Sequence, residues 1–258
     1  MGDSIPKKIF RRIINKSYKK FRHEEIAPLF KIEKDLWMME LFHGPSLAFK
    51  DFALQLLGGI FDYLLKKKSE RITILGATSG DTGSAAIEAC KDKDMMDIFI
   101  LHPHKRITKI QRKQMTTVDS QNVFNIAIKG SFDDCQDLVK KLFSDTDLGR
   151  QKKLSSINSI NWARIIGQIP YYFYATAKLN LLDSGISFCV PSGNFGNAYA
   201  CYVSKIIGLP VRKIIIGSNR NDVLTRFFTG GSLKLSNVVA TLSPSMDIQI
   251  SSNLERYL

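Results

Sequence analysis

The sequence predicts an α/β fold built on mostly parallel sheets, and three observations carry that expectation. Short β-rich runs alternate with segments whose apolar residues recur at steps of three and four. Glycine-rich loops stand where a run hands over to the next helix, and no internal repeat or low-complexity linker breaks the alternation. With 258 residues and 44% hydrophobic content, the chain can form one large or two modest units that bury most of their surface.

Between Lys7 and Arg22, eight Lys/Arg interleave with Ile9, Phe10, Ile13, Ile14, Tyr18 and Phe21, which reads as an amphipathic helix with a solvated basic face. Ala27 to Leu29 reads as a connector, and Leu36 to Phe42 as an apolar strand that runs into the turn His43-Gly44-Pro45. From Asp51, the spacing of Ala53, Leu56, Leu57, Ile60, Phe61, Leu64 and Leu65 predicts a helix ending in Lys66, Lys67 and Lys68, cations favoured at a helix C-terminus. Lys50 thus stands where a loop becomes a helix.

Two βαβ units follow. In the first, Arg71 to Leu75 and Met96 to Leu101 are strands, joined by the loop Gly76 to Gly83 and a helix over Ser84 to Lys91. A helix around Thr108 to Met115, a strand Val123 to Ile128 and a helix Phe132 to Phe143 continue the pattern, and Trp162 to Leu181 reads as one long helix kinked at Pro170. In the second unit, strand Ile186 to Val190 leads through Pro191 to Asn197 into a helix over Ala198 to Ile207, stopped by Gly208, and then strand Val211 to Gly217.

A net charge of +13 raises nucleic acid or a membrane surface as partners. No aromatic RNA-binding strand pattern or zinc-finger spacing accompanies the basic helix, and no run of about 18 apolar residues exists, so neither partner is expected. The start lacks the apolar core and cleavage site of a secretory signal. Cys90, Cys135, Cys189 and Cys201 form no CxxC pair and read as buried free thiols in a reducing, cytoplasmic setting. His102-Pro103-His104 is the one histidine cluster; its proline argues for a turn, and no metal is expected.

The loops carry the chemistry. A lysine closely preceded by Leu47, Ala48 and Phe49 at a helix start can lose hydration, which favours the neutral, nucleophilic amine a Schiff base needs. Gly193 and Gly196 bracket Asn194 and Phe195 at a helix N-terminus, where converging N–H groups and the helix dipole favour a phosphate. Thr78-Ser79-Gly80-Asp81-Thr82-Gly83 offers hydroxyls and N–H donors for a carboxylate, although Ser, Thr and Asp also serve as plain helix caps. Lysine, carboxylate clamp and phosphate cradle together are what a pyridoxal phosphate enzyme acting on amino acids requires.

HGPSLAFKDF, GATSGDTG and PSGNFGN, in this order and separation, resemble the threonine synthases, members of the fold-type II pyridoxal phosphate-dependent enzymes. QRKQMTT (111–117), NSINWAR (158–164), NRNDVLTRFF (219–228) and LSPSMD (242–247) extend the resemblance along nearly the whole chain. It implies pyridoxal 5'-phosphate as cofactor, with Lys50 as the Schiff-base lysine and later proton shuttle. Gly193, Asn194, Phe195, Gly196 and Asn197 would hold the cofactor phosphate. Thr78, Ser79, Gly80, Asp81 and Thr82 would close on the substrate carboxylate, Asp81 also meeting the cofactor ring edge. Ser159 and Arg164 would bind the substrate phosphate with Lys109 as a helper, and His43 would either orient the lysine loop or simply hold the turn. Many relatives carry Asn where Asp81 stands. An ionised carboxylate there would repel the cofactor's phenolate oxygen, so a bridging donor or an altered proton position is expected.

The implied reaction converts O-phosphohomoserine and water to threonine and phosphate. The implied architecture is two open parallel-sheet αβα domains: residues 1–70 and 158–258 belong to a large domain, and 71–157 form a small mobile one. Family members are longer at both ends, so the resemblance implies an incomplete large domain. Two other readings stand beside it: a phospho-lyase that eliminates phosphate without making threonine, and an inactive remnant that binds the cofactor or a partner protein through the basic helix. Monomer and homodimer both stay open.

Overall fold

The computed structural model describes residues 4–258 except 79, 106, 160 and 235. The chain divides into two compact units, Met1–Asn158 and Ser159–Leu258.

In the first unit, α1 (Lys7–Tyr18) lays its apolar stripe on α2 (Asp51–Lys68). Ile5, Ile13 and Ile60 form the buried seam, flanked by Ile9, Phe10, Leu56, Tyr63 and Leu64. The lysines and arginines of α1 face away, as its periodicity predicts. Between these helices, β1 (Leu29–Glu33) and β2 (Leu36–Met39) pair antiparallel. Leu29, expected at the end of a connector, instead begins β1, whose alternation with lysine and glutamate hides a short hairpin strand. The strand expected to reach Phe42 stops at Met39.

The unit's main sheet is parallel, in the order β5-β4-β3-β6. Its strands are β3 (Ile72–Ala77), β4 (Met96–Pro103), β5 (Val123–Ile128) and β6 (Leu154–Ser155). They alternate with α3 (Asp81–Cys90), α4 (Lys109–Thr116), α5 (Phe132–Ser144) and α6 (Thr146–Lys152). Cys135, Val139 and Leu142 of α5 pack on Leu75, Ala77, Phe99, Leu101 and Ile128 of the sheet. Neither α6 nor the two-residue β6 has a sequence signal strong enough to predict it. Strand β3 lies between β4, reached through α3, and β6, reached from the far edge. Its C-terminal end is therefore a topological switch point, where open α/β sheets place ligands.

The second unit contains α7 (Trp162–Ile166), α8 (Ile169–Lys178), β7 (Ile186–Pro191), α9 (Gly196–Ile206), β8 (Val211–Gly217) and α10 (Val223–Gly230). The expected single helix kinked at Pro170 is instead two helices. The break falls at Gly167 and Gln168, and Pro170 occupies the first turn of α8, where its missing N–H costs nothing. Strands β7 and β8 are parallel and joined through α9, the predicted βαβ unit.

Two stretches quoted from the sequence meet here. Asp247 of LSPSMD accepts hydrogen bonds from Asn219 (2.8 Å) and Asn221 (3.0 Å) of NRNDVLTRFF and from the Thr241 hydroxyl (2.6 Å). These residues hold a loop that has no regular structure of its own. Of the four cysteines, all free, Cys90, Cys135 and Cys201 are buried as expected, whereas Cys189 is exposed because it lies on an outward-facing position of β7.

Candidate active site

Lys50 closes a tight loop on the first turn of α2. Asp51 is fully buried, and its carboxylate accepts from both the backbone N–H and the hydroxyl of Ser46, each at 2.8 Å. Burial pushes the Asp51 carboxyl up to about 6 against the lowering effect of those two bonds. A side chain at Gly44 would place Cβ 2.4 Å from Asp51 Oδ2, so only glycine lets the turn come this close. His43 bonds Glu40 at 2.8 Å, and its carbonyl accepts from the Arg22 N–H at 2.8 Å. Both contacts serve the turn. The Lys50 side chain is 15% exposed; its Nζ lies 5.8 Å from the Phe49 ring centroid and 3.4 Å from Asp81 Oδ2.

Asp81 is the first residue of α3, which begins three residues earlier than the sequence indicates. Ahead of it, the buried Thr78 hydroxyl accepts from the N–H groups of Gly80 (3.0 Å) and Gly83 (2.9 Å), so Thr78 shapes the loop from within. Gly80 has φ of 151°, a backbone conformation reserved for glycine. Thr82 is half-buried, and Ser79 lies outside the described residues. Lys109 opens α4 and is exposed.

Helix α4 supplies two residues of QRKQMTT to which the sequence assigns no role. Gln111 Nε2 donates to Asp81 Oδ1, and Gln114 Nε2 donates to the Ser46 carbonyl at 3.0 Å. Three residues apart behind the Thr108 cap, the two glutamines share a helix face, and that spacing was the available signal. Within the first unit, Lys50, Asp81 and Gln111 are thus brought together.

In the second unit, Phe195 caps α9 in the left-handed conformation, φ 63°, and turns the glycine loop onto the helix N-terminus. Gly193, Asn194, Gly196 and Asn197 are half-buried around the buried Phe195 ring. The Asn197 side chain braces the loop by accepting from Ser192 Oγ at 2.6 Å and donating to the Pro191 carbonyl at 2.8 Å. Asn194 Oδ1 accepts from Ser252 Oγ at 3.1 Å, and Ser252 Oγ lies 2.9 Å from Ser159 Oγ. The structure therefore links the glycine loop to Ser159 through Ser252, a residue without any sequence signal. Arg164 of α7 is 5% exposed, and desolvation lowers its guanidinium to about 10, which leaves it charged at neutral pH.

Taken separately, each unit offers groups suited to one end of a phosphorylated aldehyde cofactor. A half-buried amine stands opposite a carboxylate in the first unit, and a glycine turn leads into the positive end of the 11-residue α9 in the second.

Parallel sheet, switch-point loop and shielded lysine define a class of α/β cofactor enzymes, and the comparisons agree. The model of the family "Pyridoxal-phosphate dependent enzyme" matches residues 21–257, and the chain belongs to that family. It is similar to threonine synthase of Pseudomonas aeruginosa, at 51% identity over all of this chain and 55% of the relative. A solved threonine synthase from Brucella melitensis with bound pyridoxal phosphate is 50% identical with a TM-score of 0.95, covering 99% of this chain and 55% of that one. Diaminopropionate ammonia lyase from Escherichia coli, 14% identical, has a TM-score of 0.65 over 94% of this chain and 68% of its own, and shares the fold alone. The fold is that of the fold-type II enzymes. The chain spans about half the length of the curated relatives it matches.

Proposed function

We propose that this chain carries the lysine-bearing part of a threonine synthase, which uses pyridoxal 5'-phosphate to convert O-phosphohomoserine and water to L-threonine and phosphate. The observation that carries the reading is the pairing of Lys50 with Asp81 at 3.4 Å, in a chain 51% identical over its whole length to a threonine synthase. When bound, pyridoxal phosphate supplies an electron sink for negative charge developing at the substrate carbons.

The chain's own residues do the rest. Lys50, largely shielded from solvent, holds the cofactor aldehyde and afterwards carries protons at its Nζ. The glycine loop from Gly193 to Asn197 offers the α9 N-terminus to the cofactor phosphate. Thr78, Ser79, Gly80, Asp81 and Thr82 belong to the loop that would meet the substrate carboxylate, with the buried Thr78 hydroxyl shaping it from within. Ser159 and Arg164 take the substrate phosphate, Arg164 through charge that burial leaves intact at neutral pH, with Lys109 assisting from α4. In this reading 71–157 closes over the substrate as a small domain, while 1–70 and 158–258 contribute to the large one, and closure excludes bulk water until it is needed. Three buried free thiols suit a cytoplasmic protein, and among the described residues no helix is long and apolar enough to cross a membrane.

The test is to incubate the chain with pyridoxal phosphate, fix the product with borohydride, locate the modified lysine by mass spectrometry, and assay O-phosphohomoserine turnover. Modification at Lys50 with threonine and phosphate in equal amounts is the expected result. Phosphate without threonine would replace the reading with a phospho-lyase, and no modification at Lys50 would overturn it.

A further inference from the structure

Helix α4 contacts Asp81 and the loop that carries Lys50. Gln114 holds the Ser46 carbonyl in the loop that carries Lys50, and Gln111 holds the carboxylate of Asp81. The orientation of the Gln111 amide is determined by Thr108. The Thr108 Oγ1 accepts the Gln111 backbone N–H at 3.2 Å, and its own proton goes to Gln111 Oε1 at 2.9 Å. The amide nitrogen is left facing Asp81 Oδ1, while Asp81 Oδ2 faces Lys50. Gly80 makes room for this arrangement, since a Cβ there would come within 2.4 Å of Gln111 Oε1.

We infer that Gln111 is a positioning residue that fixes Asp81 as the ionised partner of Lys50, through the relay Thr108–Gln111–Asp81–Lys50. The inference rests on the reading of Lys50 as the cofactor lysine. A neutral donor on one carboxylate oxygen stabilises the anion and directs the other oxygen at the amine. The relay sets how much of Lys50 is neutral, and so how fast it attacks an aldehyde.

The experiment measures Lys50 reactivity without any cofactor. The chain is treated briefly with acetic anhydride at neutral pH, and acetylation of Lys50 is read by mass spectrometry against the exposed Lys7 and Lys8. Gln111→Glu sets a second carboxylate against Asp81 and should slow Lys50 acetylation about tenfold, the effect of one pKa unit. Gln111→Met keeps the volume, removes the donor, loosens the pair and should speed acetylation about threefold. Shifts in the same direction for both variants, or rates within about twofold of the unaltered chain, overturn the proposal. If the Gln111 variants do not fold, Thr108→Val should move Lys50 in the Gln111→Met direction while Thr108→Ser keeps the original rate; equal rates for that pair overturn it too. Because no cofactor is present, failure of pyridoxal phosphate to modify Lys50 would remove the proposed function and leave this result standing.

Discussion

The carbonyl oxygen of Asn194 accepts two hydrogen bonds from Asn253, one from its backbone N–H at 3.2 Å and one from its side-chain Nδ2 at 3.1 Å. Asn253 is fully buried, and it pins the last turn of the chain to the glycine loop 59 residues earlier. Phe195 lies next to it in an aromatic cluster with Phe228 (5.6 Å) and Tyr257 (5.9 Å), so the loop is held from both its polar and its apolar side.

Asn253→Ala should therefore destabilise the second unit. Losing a buried amide donor while its acceptor stays in place costs about 1 to 3 kcal/mol. Urea unfolding followed by tyrosine fluorescence is the measurement. An unchanged midpoint would show that the backbone N–H alone holds the turn.

Asp51 makes a prediction about pH. Its folded pKa, about 6, lies above the ordinary 3.8, chiefly through desolvation, so folding favours the protonated form. The contribution is fully present below the unfolded value and is lost as pH rises through the folded one. Asp51→Asn mimics the neutral form. The variant should match the unaltered chain near about pH 4 and gain on it by up to about 3 kcal/mol near neutrality. Paired urea midpoints at the two pH values check this, and a gap that does not change with pH would refute it.

Much of this architecture is legible in the sequence because the strongest signals are local. The periodicity of α1 and α2 and the glycine loops before α3 and α9 each reflect what a short segment can do alone. What stays hidden is non-local. Strand β6 exists only as two residues added to the edge of β3, and β1 only as the partner of β2. Ser252 and Asn253 matter because the fold returns them to Asn194, which no spacing reveals. Gln111 lies between: its helix and cap are readable, but its target, Asp81, is set by the packing of α4 beside α3. The break between α7 and α8 is ambiguous in the sequence because Pro170 can kink a helix or begin one, and only the surrounding chain decides.

Gly80→Ala tests how tightly the Asp81 loop is built. The φ of 151° is strained for alanine, and the added methyl would meet the Gln111 amide. A loss of about 1 to 3 kcal/mol is expected from the backbone alone. Lys50 acetylation should rise as well, because displacing Gln111 releases Asp81. Lost stability with unchanged Lys50 reactivity would separate the loop's structural role from its hold on the pair.

Arg164 allows binding to be separated from folding. Desolvation lowers its pKa to about 10, so burial already works against its charge. Arg164→Met keeps most of the volume and removes the buried charge, so melting temperature and KM measured side by side tell a folding role from a binding one. If the guanidinium grips the substrate phosphate, its charge-assisted bonds contribute about 1.5 to 3 kcal/mol, and KM for O-phosphohomoserine should rise about tenfold to a hundredfold. The change in kcat should be smaller, because the phosphate contact is made in the ground state as well as in the transition state. A melting temperature that collapses while KM holds would reassign Arg164 to the structure of α7. A stable variant with unchanged KM would remove it from the phosphate site and leave Ser159 to be tested in its place.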